Sequence, residues 1–155
     1  MTSGRIFQIN ASRGGVPKHA AITANVAPLG LEGDAQLDLV HHGGPDRALC
    51  LYSLERIVAL QGEGHPIYPG AAGENLTLSG VDWDEVAPGA RIRLGDEALI
   101  EVTRYTEPCS NIKFAFQDGN SNRMHQAKHP GWSRVYARVL QPGRVRIGDP
   151  VAIEP

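Results

Sequence analysis

The sequence is short of cysteine, lysine and aromatic side chains, and each shortage closes off a class of protein. Two cysteines in 155 residues, Cys50 and Cys109, are too few for a stapled secreted scaffold. The first residues, MTSGRIFQIN, hold no apolar run suitable for export. No stretch approaches the roughly 20 apolar residues of a membrane span. These absences predict a cytoplasmic protein whose thiols stay reduced. An excess of charge is also missing: 15 basic and 17 acidic residues leave a net charge of -2. A nucleic-acid surface needs a basic excess, so neither nucleic acid nor membrane is expected as a partner. Metal and nucleotide signatures are absent too. There is no Cys-x-x-Cys or His-Glu-x-x-His spacing, no Walker A loop and no dinucleotide fingerprint.

What is there suits one globular domain spanning residues 1–155. Hydrophobic residues make up 41% and charged residues 21%, which excludes a disordered chain. Eighteen glycines and 11 prolines cut the sequence into short alternating or β-branched runs. Strands are predicted at Arg5–Asn10, Ala20–Val26, Arg47–Tyr52, Glu74–Leu78, Ala90–Leu94, Ala98–Thr106, Arg134–Leu140, Arg144–Ile147 and Val151–Glu154. Many short strands between turn signals predict a mostly β fold, a sandwich or barrel with a few short helices. Ser53 is placed to cap a helix over Leu54–Gln61, with Ile57, Val58 and Leu60 on its apolar face. A second helix is expected over Ser110–Gln117, and Asn120–Lys128 reads as a third short helix or a loop. PGARIRLGD at Pro88–Asp96 recurs as PGRVRIGD at Pro142–Asp149, which predicts two similar barrel hairpins with solvated arginines.

Polar residues concentrate in two places. Asp38 to Arg47 packs His41, His42, Asp46 and Arg47 around a Gly-Gly-Pro turn. Neighbouring histidines point apart in extended chain, so His41 and His42 make no ready zinc pair. The run suits an anion site, a metal site or an elaborate loop. Gly70 to Thr77 brings Gly73, Glu74 and Asn75 to a strand entrance, as loop caps or ligand contacts. Arginine far outnumbers lysine, which suits bidentate recognition of phosphate or carboxylate, and equally suits a codon bias.

The cysteines differ. Cys50 lies in the apolar run Ala48–Tyr52 and reads as a small buried hydrophobe. Cys109 follows a long strand ended by Pro108 and precedes the Ser110 helix. A thiol at a helix N-terminus faces unpaired N–H groups, which favours thiolate, the nucleophilic and metal-binding form. Arg104 is close by in sequence. A cysteine that merely packs a loop fits the same local sequence.

Taken together, HHGGPDRALCLYSLE, GAAGENLTLSG, PGARIRLGDEALIEVTRYTEPCSNI and PGRVRIGDPVAIEP resemble a MOSC domain. The name refers to the C-terminal domain of molybdenum cofactor sulfurases, and the similarity is to its stand-alone bacterial YiiM-like branch. The resemblance implies a twisted β-barrel of the MOSC or pyruvate-kinase-barrel type. It places the family's cysteine at Cys109, as ligand to the molybdenum of a molybdopterin cofactor. It implies cofactor contacts at His42, Asp46, Arg47, Gly73, Glu74, Asn75, Arg104 and Ser110, with Arg47 and Arg104 suited to the phosphate. No pyridoxal phosphate is expected, because 155 residues leave no room for that domain of full sulfurases.

Three functions follow from the resemblance. The first is a molybdenum-cofactor protein in a reductase system for N-hydroxylated compounds, acting on a small-molecule substrate with electrons from a separate donor protein. The second is a sulfur carrier, in which a cysteine desulfurase loads Cys109 as a persulfide for delivery to a metal-sulfur centre. The third is a non-catalytic anion-binding module.

Overall fold

A computed structural model describes residues 3–12, 16–34 and 44–154. Eleven strands form among them: β1 (Ser3–Ala11), β2 (His19–Ala21), β3 (Thr23–Ala27), β4 (Gly30–Leu31), β5 (Leu49–Ser53), β6 (Leu76–Ser79), β7 (Arg91–Leu94), β8 (Ala98–Tyr105), β9 (Val135–Gln141), β10 (Gly143–Arg146) and β11 (Pro150–Ile153). One α-helix, α1 (Leu54–Gly62), and four short 3-10 helices complete the described residues.

The main sheet runs β11-β7-β8-β9-β5-β6-β1-β2, and β1 also pairs with β11. That second pairing closes seven strands into a barrel and removes the sheet edges. Alternation drives closure. Every second residue of β8, Ala98, Ile100 and Val102, is buried, while Leu99, Glu101 and Thr103 are partly exposed. The core joins these to Ile6, Leu51, Leu76, Leu78, Ile92, Leu94, Val135, Ala137 and Val151.

β5 and β6 run parallel, whereas their other barrel neighbours pair antiparallel. Parallel neighbours need a crossover, and α1 supplies it. The Ser53 hydroxyl accepts the Arg56 N–H at 3.2 Å, as the N-cap reading predicts. Ile57 and Leu60 face the barrel, but Val58 is 55% exposed. Three residues per turn cannot all face one wall, and Val58 falls beyond the stripe.

Two expectations change. The Ala20–Val26 strand breaks at Ile22 into β2, on the barrel, and β3. β3 joins β10 and the unanticipated β4 in a separate three-stranded sheet. The repeated PG-RIRLGD pattern is therefore one barrel hairpin, β7 with β8, and one strand of the small sheet, β10. The chain crosses from β10 to the barrel through Gly148, whose N–H donates to the Ile6 carbonyl. The two Gly-Asp turns meet. Gly95 has φ +61°, and a Cβ on it would stand 2.8 Å from Asp149 Oδ2. Arg91, Arg144 and Arg146 are exposed, as expected.

No described helix is long and apolar enough to cross a membrane. Replacing Ser53 with Ala should lower stability by about 1 kcal/mol. Urea unfolding with an unchanged m-value checks this.

Candidate functional site

The site is built on the outer face of the barrel wall where β5, β9 and β8 lie side by side. Cys50 is opposite Tyr136, and Tyr136 is opposite Arg104. Directly opposed residues project to one face, so the three side chains form a row across three strands. A bulge falls between Val102 and Arg104 in the β8–β9 pairing. Bulges re-aim side chains. Here the bulge ends the alternation of β8 and leaves Arg104 exposed. The Thr103 hydroxyl donates to the Asp46 carbonyl at 2.5 Å and ties down the 3-10 turn Pro45–Arg47.

After β8 the chain turns through Glu107 and Pro108 to Cys109, which is half-buried. Burial pushes the Tyr136 phenol up. Arg47 lies over the Tyr136 ring at 5.9 Å from its centroid. The segment after Cys109 differs from expectation: Ser110–Ala115 is a six-residue 3-10 helix rather than an α-helix. So short a segment sums little dipole, and the helix-terminus argument for the thiolate lapses. The Cys109 carbonyl instead anchors the loop, accepting from Ile112 N–H at 3.3 Å and the Ser121 hydroxyl at 3.5 Å. Ser110 is exposed.

Beneath the row lies a polar layer. Asn75 donates its N–H to the Cys50 carbonyl at 2.7 Å and accepts the Cys50 N–H on Oδ1 at 2.8 Å. Its Nδ2 donates to Asp34 Oδ2 at 2.9 Å. Asp34 Oδ1 accepts Lys18 Nζ at 2.6 Å and the Ser12 N–H at 2.9 Å. Both side chains of that ion pair are about 95% removed from water. Glu74 accepts the Thr77 hydroxyl on Oε2 at 3.0 Å, and Thr77 in turn accepts Asn10 Nδ2 at 3.1 Å. Glu74 Oε1 is buried without a partner. Burial pushes this carboxyl above its ordinary 4.5, against bonds from the Gly70, Glu74 and Thr77 donors and the Arg134 charge. Cys50 is likewise raised by burial, with its Sγ 3.8 Å from Thr106 Oγ1, and behaves as the hydrophobe expected. Gly73 has φ +83°, and a Cβ there would approach Val16 Cγ1 at 2.8 Å, so the loop admits no side chain.

The sequence-derived residues therefore separate. Arg47 lies over Tyr136 and Arg104 stands opposite it in register, while Cys109 is half-buried on the loop after β8. Glu74 and Asn75 are 0% exposed, and Asn75 reaches the row from within through its bonds to Cys50. Asp46 is exposed and positions the turn. His42 lies outside the described residues, with Asp38 and His41. Among the described residues no group of three or more His, Cys, Asp or Glu side chains is placed to hold a metal. Sequence reasoning missed Lys18, Asp34, Tyr136 and the buried Arg134. Each is an ordinary charged or aromatic residue until the fold brings it beneath the loops, so no local signal marks it.

A family model described as "MOSC domain" matches residues 38–152. The uncharacterized protein YflK of Bacillus subtilis is 39% identical over 118 residues, 76% of this chain and 52% of YflK. A protein named "Reductase" from Gibberella moniliformis is 30% identical over 117 residues, 72% of this chain and 20% of that protein. The crystal structure of YiiM from Geobacillus stearothermophilus superposes with a TM-score of 0.72 at 28% identity, covering 98% of this chain and 75% of YiiM. The chain thus spans about half the length of YflK.

The polar layer makes two predictions. Lys18→Met strands the buried Asp34 carboxylate and should cost about 3–5 kcal/mol in urea unfolding. For Glu74, an acid raised in the fold, the folded state holds its proton longer than the unfolded chain. Its contribution to stability is intact below pH 4.5 and declines as pH climbs toward its folded value. Glu74→Gln should gain on the wild type progressively above pH 4.5. A stability difference that stays flat from acid to neutral pH would show that Glu74 ionises normally in the fold.

Proposed function

This chain belongs to the MOSC domain family, and on that footing we propose that it binds a molybdenum cofactor, molybdopterin, with Cys109 as a sulfur ligand to the metal. The reading extends to a part in a reductase system for N-hydroxylated compounds, and the reductase among its relatives supports that reaction class. The observation that supports it is the placement of Cys109: a half-buried thiol on the loop that follows β8, the strand that sets Arg104 opposite Tyr136, whose ring lies under Arg47.

The residues fit such a group. Soft thiolate sulfur suits a metal already held by the sulfur atoms of its own cofactor. A single protein thiol is then enough. Arg47 and Arg104 supply charge for a phosphate, and Ser110 and Asp46 are exposed. Gly73, Glu74 and Asn75 belong to the loop that leads into β6, and His42 belongs to the same stretch of sequence as Asp46 and Arg47. One buried polar atom without a hydrogen-bond partner, Glu74 Oε1, leaves hydrogen-bonding capacity next to Asn75 in the chain. When bound, the cofactor supplies two-electron redox chemistry. The chain's own residues hold it, orient it and restrict water. Electrons come from a separate donor protein.

Half-burial of Cys109 also favours a second reading, sulfur carriage, because a persulfide must be reached by both a cysteine desulfurase and an acceptor. Purification from a host that makes the cofactor separates the two. The first reading expects molybdenum and released pterin in the wild type, and little in Cys109→Ala. Equal, negligible content in both proteins would sink it. An intact-mass gain of one sulfur on Cys109 after incubation with a desulfurase would then favour carriage.

A further inference from the structure

Arg134 is 3% exposed, and nothing in the proposed chemistry uses it. Its guanidinium joins the two loops that frame the site. Nη1 donates to the Ala72 carbonyl at 2.5 Å, and Nη2 donates to the Glu107 carbonyl at 3.4 Å. Ala72 precedes the Gly73-Glu74-Asn75 loop entrance, and Glu107 lies two residues before Cys109. Arg134 Nε is buried with no hydrogen-bond partner. The residue's own carbonyl is fixed by Thr106 N–H at 2.9 Å and the Ser133 hydroxyl at 2.6 Å, so the side chain starts from a rigid base.

The charge balance around it is uneven. Carbonyl oxygens hold the guanidinium but carry no formal charge. Among the described residues no carboxylate forms an ion pair with Arg134. The acid that feels its charge is Glu74, which burial biases toward the neutral form. The other buried cation, Lys18, is already cancelled by Asp34 at 2.6 Å. A buried arginine with neutral partners is an unusual arrangement, because buried charge is ordinarily paired. The bond from Nη2 to the Glu107 carbonyl brings this charge to the loop that carries Cys109.

We propose that Arg134 determines ligand specificity: its uncompensated, buried guanidinium, bonded to the loop that carries Cys109, makes that thiol favour groups that carry negative charge, whether cofactor, substrate or chemical reagent. The inference rests on Cys109 as the working residue and adds the class of ligand that reaches it. A merely structural Arg134 would staple the two loops and show no preference for charge.

The reactivity of Cys109 in the cofactor-free protein distinguishes these. Rates of alkylation are measured at one mildly alkaline pH with anionic iodoacetate and neutral iodoacetamide, and peptide mapping assigns the modified thiol. The readout is the iodoacetate-to-iodoacetamide rate ratio, normalised to a short cysteine peptide. A loosened loop changes both rates together and leaves the ratio alone. The wild-type ratio should exceed that of the peptide. Arg134→Met should lower it by about threefold to tenfold, the size expected for losing one charge several ångströms away in a partly solvated site. Arg134→Lys, which keeps the charge but not the fork, should retain most of it. A wild-type ratio equal to that of the peptide overturns the proposal, even if Arg134→Met fails to fold. So does a ratio unchanged in a folded Arg134→Met. Metal analysis is independent: anion preference without molybdenum leaves this inference standing and removes the cofactor reading, and molybdenum without anion preference does the reverse.

Discussion

Asn75 is the joint on which the site depends. It stands just before β6, where the barrel's parallel pair begins, and its backbone N–H meets the Cys50 carbonyl. Its side chain then returns to the Cys50 N–H, so one residue satisfies both backbone groups of Cys50. Its carbonyl accepts the Asn10 N–H at 2.7 Å and draws β1 into the same place. Its remaining donor reaches Asp34, and through it Lys18. A buried amide whose nitrogen and oxygen are both bonded is rigid, because any movement leaves a polar group without a partner in a medium that cannot replace it. Three strands and two loops are registered by that requirement. The Cys50–Tyr136–Arg104 row inherits its position from them.

Charge around this joint is arranged in two tiers. The inner tier is sealed: Lys18 against Asp34, Glu74 held by hydroxyl and backbone donors, Arg134 held by carbonyls. The outer tier, Arg47 and Arg104, is open to solvent in part or in full. Attraction from the outer tier is screened by salt, whereas a buried guanidinium acts through a poorer dielectric and keeps its reach. The net charge of -2 is a sum over the whole chain and does not report how these cations are divided between buried and exposed positions.

Much of this was legible beforehand, and the successes share a cause. Every one of the nine expected strands overlaps an observed one, because alternation between glycine and proline breaks is a local property. The Ser53 cap is local as well. The failures are also of one kind. Ala20–Val26 looks continuous in sequence but is divided between two sheets, a decision made by β1 and β10 competing for it. Ser110–Gln117 has the composition of a helix, yet its backbone must turn at Phe116 to place Gln117 N–H on His65 Nδ1 at 3.3 Å. Tertiary contacts override weak propensity in so short a segment.

The sequence by itself determined the strand-rich class, the distinction between Cys50 and Cys109, and the family, because each rests on residue types at short spacings. Only the tertiary structure decided what surrounds Cys109. Lys18, Asp34, Asn75 and the pair Arg134 and Tyr136 come from four separate segments, and apart from Asn75 none was marked by its neighbours in the chain. Closure of the barrel brings them together. Burial then turns an ordinary ion pair, a carboxyl and a guanidinium into groups whose partners, or lack of them, govern the site. Cys109 was visible as a residue; its environment exists only once the seven strands have closed.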